Sequence, residues 1–260
     1  MEHILEKLQE IKQGEVGAIL YSPLQDKNIL SLNTDLMVPL ASAAKVAVAF
    51  CIVKLVEEKK FKWTDMIQNI KLHPKEDSDI LYPHYQNRPT LMLQEAVEVM
   101  IACHDSYVAN CIVEFCGGWD YVNKKIQTYF NEINVSKNPK DLRNEGKLSH
   151  ILELLKCVIK GYETEPGLWA PLVNGLVRQR SEIKKIPNHL INHMTGGLEN
   201  AVIDIGVIGE FSKEMLIYVL GAKDLPKRDE GSWTDKKLEE ALYIIYGEYV
   251  KIKNSMNLVR

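Results

Sequence analysis

The chain has 260 residues, a formal net charge of −3 and an ordinary apolar content of 46%. That is enough for one large domain or for two lobes sharing a cleft, and a mildly acidic balance without a long basic block excludes a general nucleic-acid binder. No run of about 18 apolar residues is present, so neither a membrane span nor a membrane partner is expected.

The opening stretch, MEHILEKLQEIKQGEVG, is charged and amphipathic and lacks the apolar core of a signal peptide, which points to the cytoplasm. Residues 3–12 read as a helix, with Ile4, Leu5, Leu8 and Ile11 on one face. Residues 16–22 and 28–32 read as strands joined by the turn PLQDKN, a hairpin. An apolar helix follows over about 43–58. From roughly 62 to 180 every periodic stretch reads as helix: 91–103, 106–116, 119–130, 147–161 and 167–179. Strand-like runs cover 191–195, 201–209 and 214–221, and a last helix covers about 234–249. This order predicts an α/β (α+β) fold, an antiparallel five-stranded sheet flanked by helices with an inserted all-helical lobe. Residues 1–60 and 181–260 would form the α/β lobe and 61–180 the helical lobe, with a cleft between. Five cysteines, Cys51, Cys103, Cys111, Cys116 and Cys157, lie in helix-like apolar stretches without CxxC spacing, which fits buried free thiols in a reducing compartment.

Within PLASAAKVAVAFCIVKLV, residues 39–56, a single lysine breaks the first apolar stretch. Ser42 and Lys45 are three residues apart, so on a helix they share a face. The helix is apolar almost all round and should be buried. Burial and the positive end of the helix dipole both disfavour an ammonium, and a neutral amine beside a hydroxyl can take its proton and make it a nucleophile. The alternative is a lysine that snorkels to solvent and a serine that only caps the helix. Spacing alone does not decide, because Ser181 and Lys184 repeat the pattern in a basic loop.

Two further stretches bear on the choice: MIACHDSYVANCIVE, residues 100–114, and NHMTGGLENAVIDIGVI, residues 192–208. With the segment around Ser42 they resemble, in order and rough spacing, the S-x-x-K, S-D-N and K-T-G signatures of penicillin-recognising serine hydrolases, in their class A β-lactamase branch. The resemblance runs through the hairpin GAILYSPLQDKNILSLNTDLMVPLASAAK and the approach RSEIKKIPNHL, covers nearly the whole chain, and implies the same fold with the site between the lobes. It implies that Ser42 is the nucleophile and Lys45 the base-side lysine. His104 falls on the serine of S-D-N, Asp105 on its structural aspartate, and Ser106 on the asparagine that contacts the substrate amide. Asn110 matches a later bracing asparagine, and Thr195 and Gly196 match the end of K-T-G. The amides of Ser42 and Gly197 would form an oxyanion hole.

Three positions depart from that pattern. Met194 stands where the lysine of K-T-G attracts the substrate carboxylate, which a thioether cannot do. His104 replaces a proton-relaying serine; it can shuttle a proton or merely line the groove. The loop NPKDLRNEGKL, residues 138–148, is short and puts Lys140 or Asp141 near the place of the deacylating glutamate, with Asp141 and Glu145 its only carboxylates. His73, His84, His150 and His189 show no metal spacing, and His193 either edges the cleft or points away. Trp119, Trp169 and Trp233 read as packing residues, and 71–89 as a polar connection that is either plain surface or the rim of the groove.

The resulting expectation is a serine hydrolase that forms an acyl-enzyme at Ser42 with a small-molecule ester, amide or lactam, Lys45 as base and His104 as a proton relay, without metal or cofactor. The alternatives are a true β-lactamase or D-alanyl-D-alanine carboxypeptidase, and a binding module of the same fold with weakened catalysis.

Overall fold

The computed structural model describes residues 2–180, 183, 185–228 and 232–257. Ser181 and Lys184, the second S-x-x-K pair, lie outside the described residues. Helix α1 (Glu2–Gln9) leads into the hairpin of β1 (Glu15–Ser22) and β2 (Lys27–Leu32), whose register shifts between Leu20 and Tyr21. A short strand, β3 (Met37–Pro39), a 3-10 turn (Ala41–Ala43) and α2 (Ala44–Glu57) follow.

The middle of the chain is not helical throughout, as its periodicity suggests. Strand β4 (Met66–Gln68) pairs with β5 (Thr90–Met92), on either side of the one-turn helix α3 (Ser78–Leu81). Then come α4 (Leu93–Ala102), α5 (Ser106–Phe115) and α6 (Trp119–Gln127). Strand β6 (Glu145–Lys147) pairs with β3, so the loop before it is tied to the segment leading into the 3-10 turn. These three-residue strands are too short to show a period of two. Helices α7 (Leu148–Thr164) and α8 (Pro166–Arg178) complete the block. The chain then returns to the sheet through β7 (Ile191–Gly197), β8 (Val202–Ile208) and β9 (Leu216–Lys223), and ends in α9 (Trp233–Asn257), longer than its sequence pattern suggests.

The main sheet has the order β2-β1-β9-β8-β7, antiparallel throughout. The first hairpin and the last three strands meet at the β1–β9 pair, from Glu15 opposite Lys223 to Tyr21 opposite Ile217. Alternate residues face opposite layers. Ile19, Ile203, Ile205, Val207, Ile217 and Val219 join the core around α2. Ala18, Leu20, Ile208, Tyr218 and Leu220 join a second core with α1 and α9. Helices therefore cover both faces, which is why β8 is buried along its whole length.

Helix α2 is the axis of the larger core: every residue from Ala44 to Val53 is buried. Phe50 on it contacts Tyr129, Phe130 and Trp169, with ring centroids 5.3, 5.2 and 5.8 Å away. Trp169 is a packing residue as expected, but Trp233 is not: it is 61% exposed, beneath the Lys237 ammonium. All five cysteines are free; Cys51, Cys103 and Cys116 are buried, whereas Cys157 is exposed. Among the described residues no helix is long and apolar enough to cross a membrane.

Candidate active site

The segment into α2 makes a sharp turn. Ala41 has φ of +46°, a left-handed conformation that costs a non-glycine residue energy and needs support. Asn144 supplies it from the loop before β6. Its carbonyl accepts from the Leu40 amide at 2.8 Å, and its side-chain Nδ2 donates to the Ala41 carbonyl at 3.1 Å. Asn144 is not among the residues that the sequence points to: the carboxylates of its loop are, and no local pattern marks the asparagine between them.

Ser42 follows Ala41 inside the 3-10 turn. It is not a helix cap: α2 is preceded by Ala43, with no side-chain cap. Its Oγ instead accepts a hydrogen bond from Lys45 Nζ at 3.0 Å. Lys45 does not snorkel, being 5% exposed. Burial lowers its pKa to about 8, against the charges of Glu76 and Asp105, which favour the ammonium. Burial thus brings the amine only part of the way to the neutral form expected from the sequence; at pH 7 roughly one molecule in ten carries the free base. A cavity of about 20 Å³ adjoins Lys45, lined also by Ala41, Ser106, Trp119, Pro139 and Asn144, with room for one water molecule. Asn144 Oδ1 is buried without a protein partner.

The second signature crosses from α4 to α5. His104 has φ of +54° between the two helices. Its Nε2 lies 2.8 Å from Gln179 Oε1, and the Gln179 amide nitrogen donates to Met194 Sδ at 3.7 Å. Burial lowers the His104 pKa to about 4; the Gln179 hydrogen bond opposes this, and the Lys45 and His193 charges add to it. The ring is therefore neutral near pH 7. Asp105 is fully buried and structural: it accepts from the Tyr107 and Val108 amides at the start of α5 and from the His73 amide at 2.8 Å. Through His73 it ties down the 71–77 loop, whose half-buried Glu76 has its pKa raised by burial. The sequence left open whether this loop was plain surface. Asn110 Oδ1 accepts from Trp119 Nε1 at 3.1 Å, bracing a ring that lines the cavity.

The third signature is the edge strand β7. Gly196 brings it against the turn: a Cβ there would stand 2.1 Å from the Leu40 carbonyl oxygen. Thr195 is half-buried and Gly197 exposed at the strand end. Met194 is fully buried among the apolar side chains around α2. His193 is drawn away into a buried cluster, with Nδ1 2.9 Å from Asp204 Oδ1, which also accepts from Tyr218 Oη at 2.8 Å. Burial disfavours a charged His193, but the Asp204 charge and hydrogen bond outweigh it and raise the pKa.

Neither carboxylate of the short loop lines the cavity. Asp141 pairs with Arg143 at 2.6 Å, which lowers its carboxyl to about 2. Glu145 lies in β6 opposite Pro39, and Lys140 is exposed.

A model of a "Beta-lactamase enzyme family" matches residues 2–243. The solved structure of PBP-A is similar, with a TM-score of 0.78 at 17% identity over 96% of this chain and 97% of that one. A PBP-A mutant in acyl-enzyme complex with penicillin G gives 0.77 at 18% identity over 96% of each chain. A β-lactamase from Chitinophaga pinensis gives 0.75 at 17% identity over 95% and 97%. At these identities the likeness shows the fold. Among curated proteins no sequence relative was found.

Proposed function

Because the chain belongs to the β-lactamase enzyme family, we propose that it is a serine hydrolase of the β-lactamase or penicillin-binding type, acting through an acyl-enzyme at Ser42 in the groove between an α/β lobe (1–60 and 181–260) and a helical lobe (61–180). The observation that carries this reading is the 3.0 Å contact between Ser42 Oγ and the buried Lys45 Nζ. In its neutral form the same nitrogen accepts the Ser42 proton as Oγ attacks a carbonyl carbon. The amides of Ser42 and Gly197 receive the developing oxyanion. The leaving alcohol or amine departs with a proton from the Lys45 ammonium, passed directly or through His104. A water molecule then attacks the acyl ester and returns Ser42 to its starting state. Ser106, Thr195 and Gly196 line the substrate, Asp105 and Asn110 support the walls, and no cofactor enters. The substrate is a small ester, amide or lactam without a required carboxylate, since Met194 offers no cation. A cytoplasmic setting belongs to the same reading, supported by the five free thiols.

A long-lived acyl-enzyme is favoured over rapid turnover by one observation: the cavity beside Lys45 is lined by Asn144 and Pro139, while Asp141 is held by Arg143. Intact-protein mass spectrometry with a fluorophosphonate, activated esters and penicillins tests the reading. One covalent mass should appear on the wild-type protein and none on Ser42→Ala. Labelling that survives in the alanine variant would assign the reaction elsewhere.

A further inference from the structure

We propose that Gln179 is a positioning residue that sets the tautomer of His104, and that Met194 sets the orientation of Gln179. Gln179 follows α8 directly, where the chain leaves the helix with ψ of 141°, and its side chain is buried between His104 and Met194. The hydrogen-bonding capacities of the three side chains leave one arrangement. A thioether sulfur only accepts, so it takes the amide NH2 of Gln179. The amide oxygen is then left for His104, and because that oxygen only accepts, His104 must donate from Nε2. In a neutral imidazole the proton on Nε2 leaves a lone pair on Nδ1. Among the described residues the ring hydrogen-bonds through Nε2 and not through Nδ1, so the Nδ1 lone pair is the place where this tautomer can take a proton.

The charged groups acting on the ring come from three elements: Lys45 on α2, His193 on β7 and Asp204 on β8. Two of them, with burial, oppose a second proton, so one neutral tautomer is held through the working range. This links two departures from the family pattern. A lysine at position 194 would donate to Gln179 and draw its oxygen, turning the amide NH2 towards His104. The imidazole would then have to accept at Nε2 and carry its proton on Nδ1, with no lone pair left to offer the groove. Histidine at 104 and methionine at 194 thus form one compatible arrangement, which a base within a proton relay requires of its orienting partner.

The tautomer does not depend on the acyl-transfer reading, although its kinetic consequence does. Long-range 1H–15N correlation spectra of the full chain, with the His104 signals assigned by their loss in His104→Ala, should show the neutral Nε2–H form from pH 5.5 to 8. Gln179→Glu, an acceptor with a charge, should keep the proton on Nε2 and raise the His104 pKa by one unit or more. The rate of fluorophosphonate labelling at Ser42 should then acquire an inflection where the wild type has none. Met194→Lys should move the proton to Nδ1. If that variant does not fold, the wild-type tautomer and Gln179→Glu decide. A wild-type Nδ1–H form, a pKa unmoved in Gln179→Glu, or a folded Met194→Lys still protonated on Nε2 each overturns the proposal. Absence of Ser42 labelling with the expected spectra overturns the acyl-enzyme reading alone.

Discussion

Lys45 Nζ and Ser42 Oγ are 3.0 Å apart across the junction of a 3-10 turn and an apolar helix, and nothing but that hydroxyl hydrogen-bonds the buried amine among the described residues. The pair couples stability to function. A lysine with a pKa of about 8 in the fold and an ordinary value near 10.5 when unfolded binds fewer protons in the native state between those values. Stability therefore rises with pH from 8 to 10.5, and below 8 the full penalty, about 3 kcal/mol, is present. Lys45→Met should raise stability at pH 7 by about 1–3 kcal/mol in chemical denaturation while abolishing labelling of Ser42. In the wild type the labelling rate should climb with pH to a half-maximum near 8. A rate that is flat between pH 6 and 9 would remove Lys45 as the base.

His104 should leave no mark of its own on that profile. Its pKa of about 4 keeps it neutral, so no inflection near 6.5 is expected, although an unperturbed histidine would produce one. His104→Ala should still lower the acylation rate, by about 10²–10⁴-fold if the ring relays the proton. His104→Ser should recover part of the loss. A wild-type rate in His104→Ala would reduce the residue to lining the groove.

Penicillins should acylate slowly and stay attached. Met194 leaves the substrate carboxylate without its lysine, a loss of about 1.5–3 kcal/mol if nothing replaces the charge-assisted bond. With Asp141 paired to Arg143, a penicilloyl adduct should persist for minutes or longer in time-resolved mass spectra. Benzylpenicillin or nitrocefin turnover with kcat/KM above about 10⁴ M⁻¹s⁻¹ would contradict this.

Gly196→Ala tests how the edge strand meets the turn. The new Cβ would fall on the Leu40 carbonyl oxygen, so β7 must move away from Ser42. We expect a destabilisation of about 1–3 kcal/mol, read in denaturant unfolding, and at least tenfold slower labelling. An alanine variant of wild-type stability and rate would mean that the approach is not needed.

The sequence by itself determined the order of the main elements, the five-stranded sheet and the identity of the Ser42–Lys45 pair. The elements are written in local pattern, short strand-like runs at 191–195, 201–209 and 214–221 and three- and four-residue spacing in the helices, whereas Ser42 and Lys45 stand out from Ser181 and Lys184 by their apolar surroundings and by the resemblance of two further stretches to the family signatures. Short strands such as Glu145–Lys147 were not legible, because three residues carry no period and are held by pairing with a distant Met37–Pro39. Tertiary structure alone decided the electrostatics of the site. Burial sets how far Lys45 and His104 are shifted, and it depends on layers contributed by segments far apart in the chain. It also decided partners: Gln179 reaches His104 across 75 positions and Asn144 reaches Ala41 across 103, and no local pattern marks either residue. A side chain's type limits which hydrogen bonds it can make, but only the folded chain brings a donor to its acceptor and excludes the water that would otherwise take its place.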